Sequence, residues 1–336
     1  MYTILVANEL QLDANGVIMK KKMFALLVML SLVLTACGGD MNTTEQSEKL
    51  QVVTSFYPIY LLAQAVTEGA QELELRNMAQ PQTGCLHDYE LTIADMKLLE
   101  GADVLIINGG RMESFLEQAL ERYPELIIVD TSHGIALMEE EEHHHHEGET
   151  EEEHAAHAGH EHDHEGNPHI WLSPEKAAHQ AENIAAALSE LDKADGEIFA
   201  ANAEAFHEAA HELQEKAQHI GIPEGEFAAV FHEGFSYLTE LFHMENVFGI
   251  FADEYQMPSA RELTEATDEA RGHGIRFFLA AADNGRIYAE TLAAEMDEHI
   301  VLLDPLTTAD EVGLSYLERM EKNLETIEKH WKEGTE

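Results

Sequence analysis

The sequence predicts an α/β protein built as two lobes around parallel sheets, and three observations carry that expectation. Short apolar runs such as LQVVTSF, VLIING and FAAVF alternate with amphipathic helix-forming stretches, the pattern of a parallel sheet covered on both faces. The alternation breaks once, at a segment over 174–220 rich in Ala, Glu and Lys, and then resumes. The 336 residues suffice for one large domain or two of ordinary size, and 45% hydrophobic content allows a real core. Each lobe is therefore expected to be Rossmann-like, the two joined by a long helical linker.

The elements follow in order. LQVVTSF (50–56) reads as a buried strand, and IYLLAQAVTEG after Pro58 as a helix. LELRNMAQ is a second strand, IADMKLLEG a helix, and Val104–Gly109 a third strand. A helix through Met112–Glu121 leads to a fourth strand at Leu126–Asp130. This N-terminal lobe is assigned 50–173. The linker, 174–220, is one long helix or a pair broken near Asp195–Gly196. The C-terminal lobe, 221–336, has strands at Phe227–Phe231, Val247–Phe251, Ile275–Ala281 and His299–Asp304, and ends in the helix SYLERMEKNLETIEKHW. No internal sequence repeat is visible.

Residues 1–36 read as an export signal. Lys20–Lys22 form a basic start, Met23–Leu34 an apolar run too short for an ordinary membrane span, and small residues precede Cys37. The eighteen residues before Met19 do not suit such a signal, so Met19 is the expected start. Leu34-Thr35-Ala36-Cys37 resembles a bacterial lipobox, which makes Cys37 the lipidation site and 37–49 a small, polar tether. Cys85 then has no partner for a disulfide within the chain.

The charge balance narrows the partners. Sixty-five acidic residues against 19 basic ones give a formal net charge of -46, which repels nucleic acid and anionic lipid headgroups and attracts cations. The acidity culminates in a loop over 139–166, with twelve acidic residues, nine histidines and no Lys or Arg. It cannot bury enough surface to offset its ordering entropy and is expected to be disordered. His143, His144, His145, His146, His154, His157, His160, His162 and His164 there form an auxiliary, low-affinity metal collector.

Four other side chains sit where parallel α/β lobes place ligands, at or just beyond the carboxyl ends of strands. These are His87 in GCLHDYELT, His169 in NPHIWLSP, His232 in FHEGFSYL and Asp304 in LLDPL. Three imidazoles and a carboxylate suit a first-row divalent ion: zinc, copper, iron or nickel by the imidazoles, manganese also by the carboxylate. Taken singly, each histidine is better explained as a cap or an exposed polar residue.

The order of the motifs SFYPIYLLAQAV, HDYELTIADMKLLEGADVLIINGGRMESFL, NPHIWLSPE, FHEGFSYL, PSAREL and LLDPL resembles the metal-binding solute receptors of bacterial ABC transporters, the ZnuA-like and manganese-receptor group. The resemblance runs from Val52 to the C-terminus. It implies that His87, His169 and His232 are metal ligands, with Asp304 as a fourth where a fourth exists. It further implies Zn2+ as the ion, because zinc members carry a His- and acid-rich loop and a third histidine, with Mn2+ as second choice. An ABC permease and its ATPase subunit would be the partners of a monomeric receptor. The receptor would be lipid-anchored on the outer face of a cytoplasmic membrane, Gram-positive in type.

The sequence departs from the family in places. Leu86 stands where proline is common, and Cys85 beside it either lends a thiolate to the metal or is a buried thiol near the site. Asn167 replaces the usual Asp, leaving a weaker contact behind the metal ligand. IRFFLAAADN lacks the acidic or polar residues usual after that strand.

Two alternatives of other classes remain. HEAAH at His207–His211 fits a zinc peptidase motif with Glu208 as base, but HEHDH at His160–His164 fits it equally, so the pattern carries little weight here. A surface adhesin or metal-buffering lipoprotein would use the histidine loop as its main binding element. NGGRMES lacks the Lys-Ser/Thr of a P-loop, so nucleotide hydrolysis would belong to a partner and the chain itself is not expected to be an enzyme.

Overall fold

The computed structural model describes residues 49–80, 86, 89–139, 166–249, 260–282, 285–310 and 312–334. They belong to one unit, Lys49–Glu336.

The first sheet is made of β1 (Leu50–Thr54), β2 (Leu73–Asn77), β3 (Val104–Ile107) and β4 (Ile127–Asp130), all parallel in the order β2-β1-β3-β4. The second contains β5 (Phe227–Val230), β6 (Glu245–Gly249), β7 (Phe277–Ala280) and β8 (Ile300–Leu302) in the order β6-β5-β7-β8, again all parallel. The second order repeats the first. The lobes are therefore two copies of one topology, a duplication the sequence does not display.

Alternating burial explains why these runs form central strands. Val52, Val104 and Ile106 face one buried cluster while Val53 and Leu105 face another. In the second sheet Ala228, Val230, Phe277 and Leu279 face the shared cluster, and Ala229, Phe278 and Ala280 the opposite one. Apolar side chains on both faces are what a doubly covered parallel sheet requires.

The shared cluster joins the lobes through helices. In the first lobe α1 (Tyr57–Thr67), opened by Pro58 in its first turn, contributes Ile59, Leu62 and Val66; α2 (Ile93–Glu100) is capped by Thr92 and Asp95. The expected Met112–Glu121 helix is only a 3-10 turn at Ser114–Leu116 and one α-turn, α3 (Glu117–Leu120). Gly109, Gly110 and Arg111, all with positive φ, bend the chain ahead of it, and Glu113 is drawn inward.

The linker is a pair of helices and not one rod. The first, α4 (Pro174–Leu191), ends at Asp192, whose Oδ1 accepts the N–H groups of Ala194 and Asp195, and α5 (Gly196–His219) doubles back on it. Asp195 in turn accepts the N–H groups of Gln71 and Glu72, and Asn202 donates to the Val66 and Glu68 carbonyls at the end of α1. The hairpin is thus fastened to the first lobe. In the second lobe α6 (Ser236–Leu241), α7 (Ala260–His273) and α8 (Gly285–Glu295) precede α9 (Tyr316–Glu333). A Ser315–Glu318 capping box starts α9, and Tyr316, Met320, Leu324 and Ile327 bury one stripe of it.

Candidate metal centre

His169 stands in a turn held from both sides. Below it, Asn108 donates from Nδ2 to the Pro168 carbonyl (2.9 Å), and Gln180 Nε2 bridges Asn108 Oδ1 (3.1 Å) and Thr131 Oγ1 (2.8 Å). Asn108 is itself fixed by Glu113. One oxygen of that carboxyl accepts from Ser55 Oγ and the Asn108 N–H, both at 2.7 Å, and the other accepts from the Gly109 N–H at 3.1 Å. Complete burial pushes the Glu113 carboxyl up to about 7, against the opposing pull of those three donors.

On the other side, Asn167 sets the imidazole. Its Nδ2 donates to the Glu233 carbonyl at 3.1 Å, so Oδ1 is the atom that faces His169. That oxygen accepts the His169 N–H at 3.0 Å and lies 2.9 Å from Nδ1. A carbonyl oxygen can only accept; in the neutral ring the proton is therefore on Nδ1 and the lone pair on Nε2. The ring is 1% exposed, with Trp171 at a centroid distance of 4.9 Å.

His232 comes from the other lobe, two residues past β5. Its ring centroid is 5.3 Å from that of His169, the planes at 77°. This approach depends on Gly234, where a Cβ would fall 2.6 Å from Leu172 Cδ1 and 3.0 Å from both Cβ and Cδ2 of His169. The Gly234 N–H donates to His232 Nδ1 at 3.2 Å. In the neutral ring the His232 proton is then on Nε2, the reverse of His169.

Tyr237, one turn further on, closes the frame. Its hydroxyl donates to the Asn167 carbonyl (2.6 Å) and accepts the Met138 N–H (3.0 Å); burial pushes its pKa up to about 12, so it stays a donor. Asn167 and Met138 also form an isolated antiparallel bridge. The two ends of the 139–166 loop are thereby pinned together two residues before His169.

Asp304 follows β8 and lies beside this turn, since Trp171 Nε1 donates to the Pro305 carbonyl at 2.9 Å. Its carboxylate is the counter-ion of Arg319, with Nε to Oδ2 and Nη2 to Oδ1 both at 2.6 Å. The Leu306 N–H also donates to Oδ1 at 2.8 Å.

Of the four expected ligands, the structure brings His169 and His232 together and commits Asp304 to Arg319. His87 lies outside the described residues, as do Cys85, Cys37 and all nine loop histidines. Among the described residues no three His, Cys, Asp or Glu side chains form a metal-holding group. The HEAAH histidines are on the exposed face of α5, where His207 Nδ1 pairs with Glu182 at 2.7 Å.

Sequence reasoning reached Asn167 through its departure from the family pattern. It missed Asn108, Glu113, Gly234, Tyr237 and Arg319, although NGGRMES and FHEGFSY were both on view.

Comparison with known proteins adds the following. Residues 52–330 match the family described as zinc-uptake complex component A, periplasmic. The chain is 27% identical over 317 residues to the zinc-binding lipoprotein AdcA of Streptococcus pneumoniae, an alignment covering 92% of this chain and 60% of AdcA. It is 28% identical over 326 residues to the high-affinity zinc uptake system protein ZnuA of Bacillus subtilis, covering 92% and 98%. Among solved structures, a zinc(II)-bound variant of AdcAII from Streptococcus pneumoniae superposes with a TM-score of 0.68 at 26% identity, covering 84% of this chain and 98% of that one. The chain thus spans about 60% of the length of the AdcA relatives.

Proposed function

Because the chain belongs to the family of zinc-uptake complex component A, we propose that it is the zinc receptor of an ABC-type importer. It captures Zn2+ between its lobes and delivers it to a permease driven by a separate ATPase subunit. The task is capture and release, with no bond made or broken in a substrate.

The observation that carries this reading is the His169–His232 pair, two imidazoles from different lobes at 5.3 Å, one with its tautomer set by Asn167. Imidazole nitrogen is a preferred zinc donor, and a carbonyl-type partner behind the ring is how proteins orient such a ligand. His87 supplies the third nitrogen, and Asp304 or a water the fourth position. Mn2+ is the second choice, because an imidazole-rich set favours zinc over manganese. The acidic surface draws the cation in, and the histidines of 139–166 gather it near the turn at which the loop's ends are joined.

Lipidation at Cys37 would hold the receptor at the outer face of the membrane. AdcA of Streptococcus pneumoniae is named a lipoprotein, and among the described residues no helix is long and apolar enough to cross a membrane. Chelator-competition titration of His87→Ala, His169→Ala and His232→Ala tests the site. Each should lose tight zinc binding; wild-type affinity in all three would refute the assignment. Acidification should also weaken binding, because protons compete for the same nitrogens.

A further inference from the structure

We propose that Arg319 is a specificity-determining residue, which withholds the Asp304 carboxylate from the cation and so keeps the centre a nitrogen site selective for zinc over manganese. This inference rests on the receptor reading above.

The geometry around Asp304 is that of a filled carboxylate. Arg319 meets it with two parallel N–H bonds at 2.6 Å, the bidentate arrangement that gives such pairs their strength. The third guanidinium nitrogen, Nη1, donates to the Thr308 carbonyl at 2.8 Å, and the cation stands 5.7 Å from the centre of the Tyr57 ring. The Arg319 side chain is 3% exposed, against 35% for Asp304.

The backbone of Asp304 is fixed as well: its N–H donates to Asn323 Oδ1, and its carbonyl accepts from Asn323 Nδ2, both at 2.8 Å. Arg319 and Asn323 are one turn apart on α9, so a single helix face holds both the side chain and the main chain of Asp304.

Moving the carboxylate to a metal would leave a buried guanidinium without its counter-ion, which is strongly unfavourable. Zinc loses little by this denial, since three imidazoles and a water form a complete tetrahedral set. Manganese, which favours carboxylate oxygen, loses its best donor. The denial therefore widens the gap between the two ions without touching the zinc ligands.

The test is metal competition, zinc against manganese, on the full mature chain carrying Arg319→Met, Asp304→Asn, or both. The double variant removes both charges and keeps the comparison sound if either single change disturbs folding. The expected result is zinc affinity within about threefold of wild type in the double variant. Arg319→Met alone should gain manganese affinity by about tenfold over the double variant, the scale on which residues behind metal ligands act. A hundredfold loss of zinc in the double variant would overturn the proposal by making Asp304 a ligand, and equal manganese affinities in the double and Arg319→Met variants would overturn it equally. A His169→Ala control separates the two levels. If it keeps wild-type zinc affinity, the site reading itself fails; if it loses zinc while Arg319→Met leaves the metal preference unchanged, only the role of Arg319 fails.

Discussion

The turns carrying His169 and His232 are neighbours in space and opposites in preparation. The NPHIW turn is buried, its imidazole oriented by Asn167 and its backbone tied through Asn108 to the Glu113 carboxyl. The FHEGF turn is half-buried, and its imidazole accepts a backbone N–H through Nδ1. In the proposed site His169 would bind through Nε2 with no change of tautomer. His232 would not: binding through Nδ1 displaces the Gly234 N–H, and binding through Nε2 puts a proton on Nδ1 facing that same N–H. Whichever nitrogen binds, the Gly234 hydrogen bond is given up. In the proposed receptor one lobe would thus supply a ligand whose tautomer is already set and the other a ligand that must change partner, which would couple loading to a local rearrangement in the second lobe.

The contrast can be broken most severely at His169. His169→Ala should weaken zinc by more than the roughly 10–100-fold typical of residues behind a ligand, read by chelator competition. Asn167→Ala should fall within that range, because the ring loses its orientation but not its nitrogen; no change would mean that the tautomer is set by something else. Gly234→Ala should also impair binding, since its Cβ would press on Leu172 and His169 and part the two turns. A gentler probe is the Gly234 amide resonance, which should shift on zinc addition while the Asn108 amide stays in place.

The last prediction concerns stability. Glu113 titrates near 7 in the folded protein against 4.5 as a free side chain, so the folded state binds its proton more tightly than the unfolded state. Its contribution therefore diminishes as pH rises from about 4.5 to about 7, by roughly 3 kcal/mol. Melting curves of the wild type and Glu113→Gln between pH 5 and 8 should differ in slope in that direction, and parallel curves would count against the raised carboxyl.

Much of the framework was legible in the sequence. Strands such as Phe277–Ala280 announce themselves because both faces are buried, which leaves an unbroken apolar run. Strand β6 was harder. It starts at Glu245, before the apolar residues begin, because pairing of Glu245 with Phe227 sets its register. The helix expected at Met112–Glu121 is shorter than expected, helical only over Ser114–Leu120 and 3-10 in its first turn, because Glu113 is drawn inward by two backbone N–H groups. Motif order singled out His169 and His232, whose rings the structure brings together, but not what surrounds them. Arg319 is 15 residues from Asp304 and reads as one more charge on an amphipathic helix; only the packing of α9 turns it inward. Gly234 looked like a turn residue, and its role is the space it leaves for His169.

The central claim is that the ordered histidines, and not the histidine-rich segment, hold the tightly bound ion. Removing residues 141–164 spares both partners of the Met138–Asn167 bridge, so zinc titration of that shortened chain, with and without His169→Ala, tests the claim most directly. One tight equivalent should survive the deletion and vanish with His169→Ala; loss of the tight equivalent with the loop alone would contradict the account.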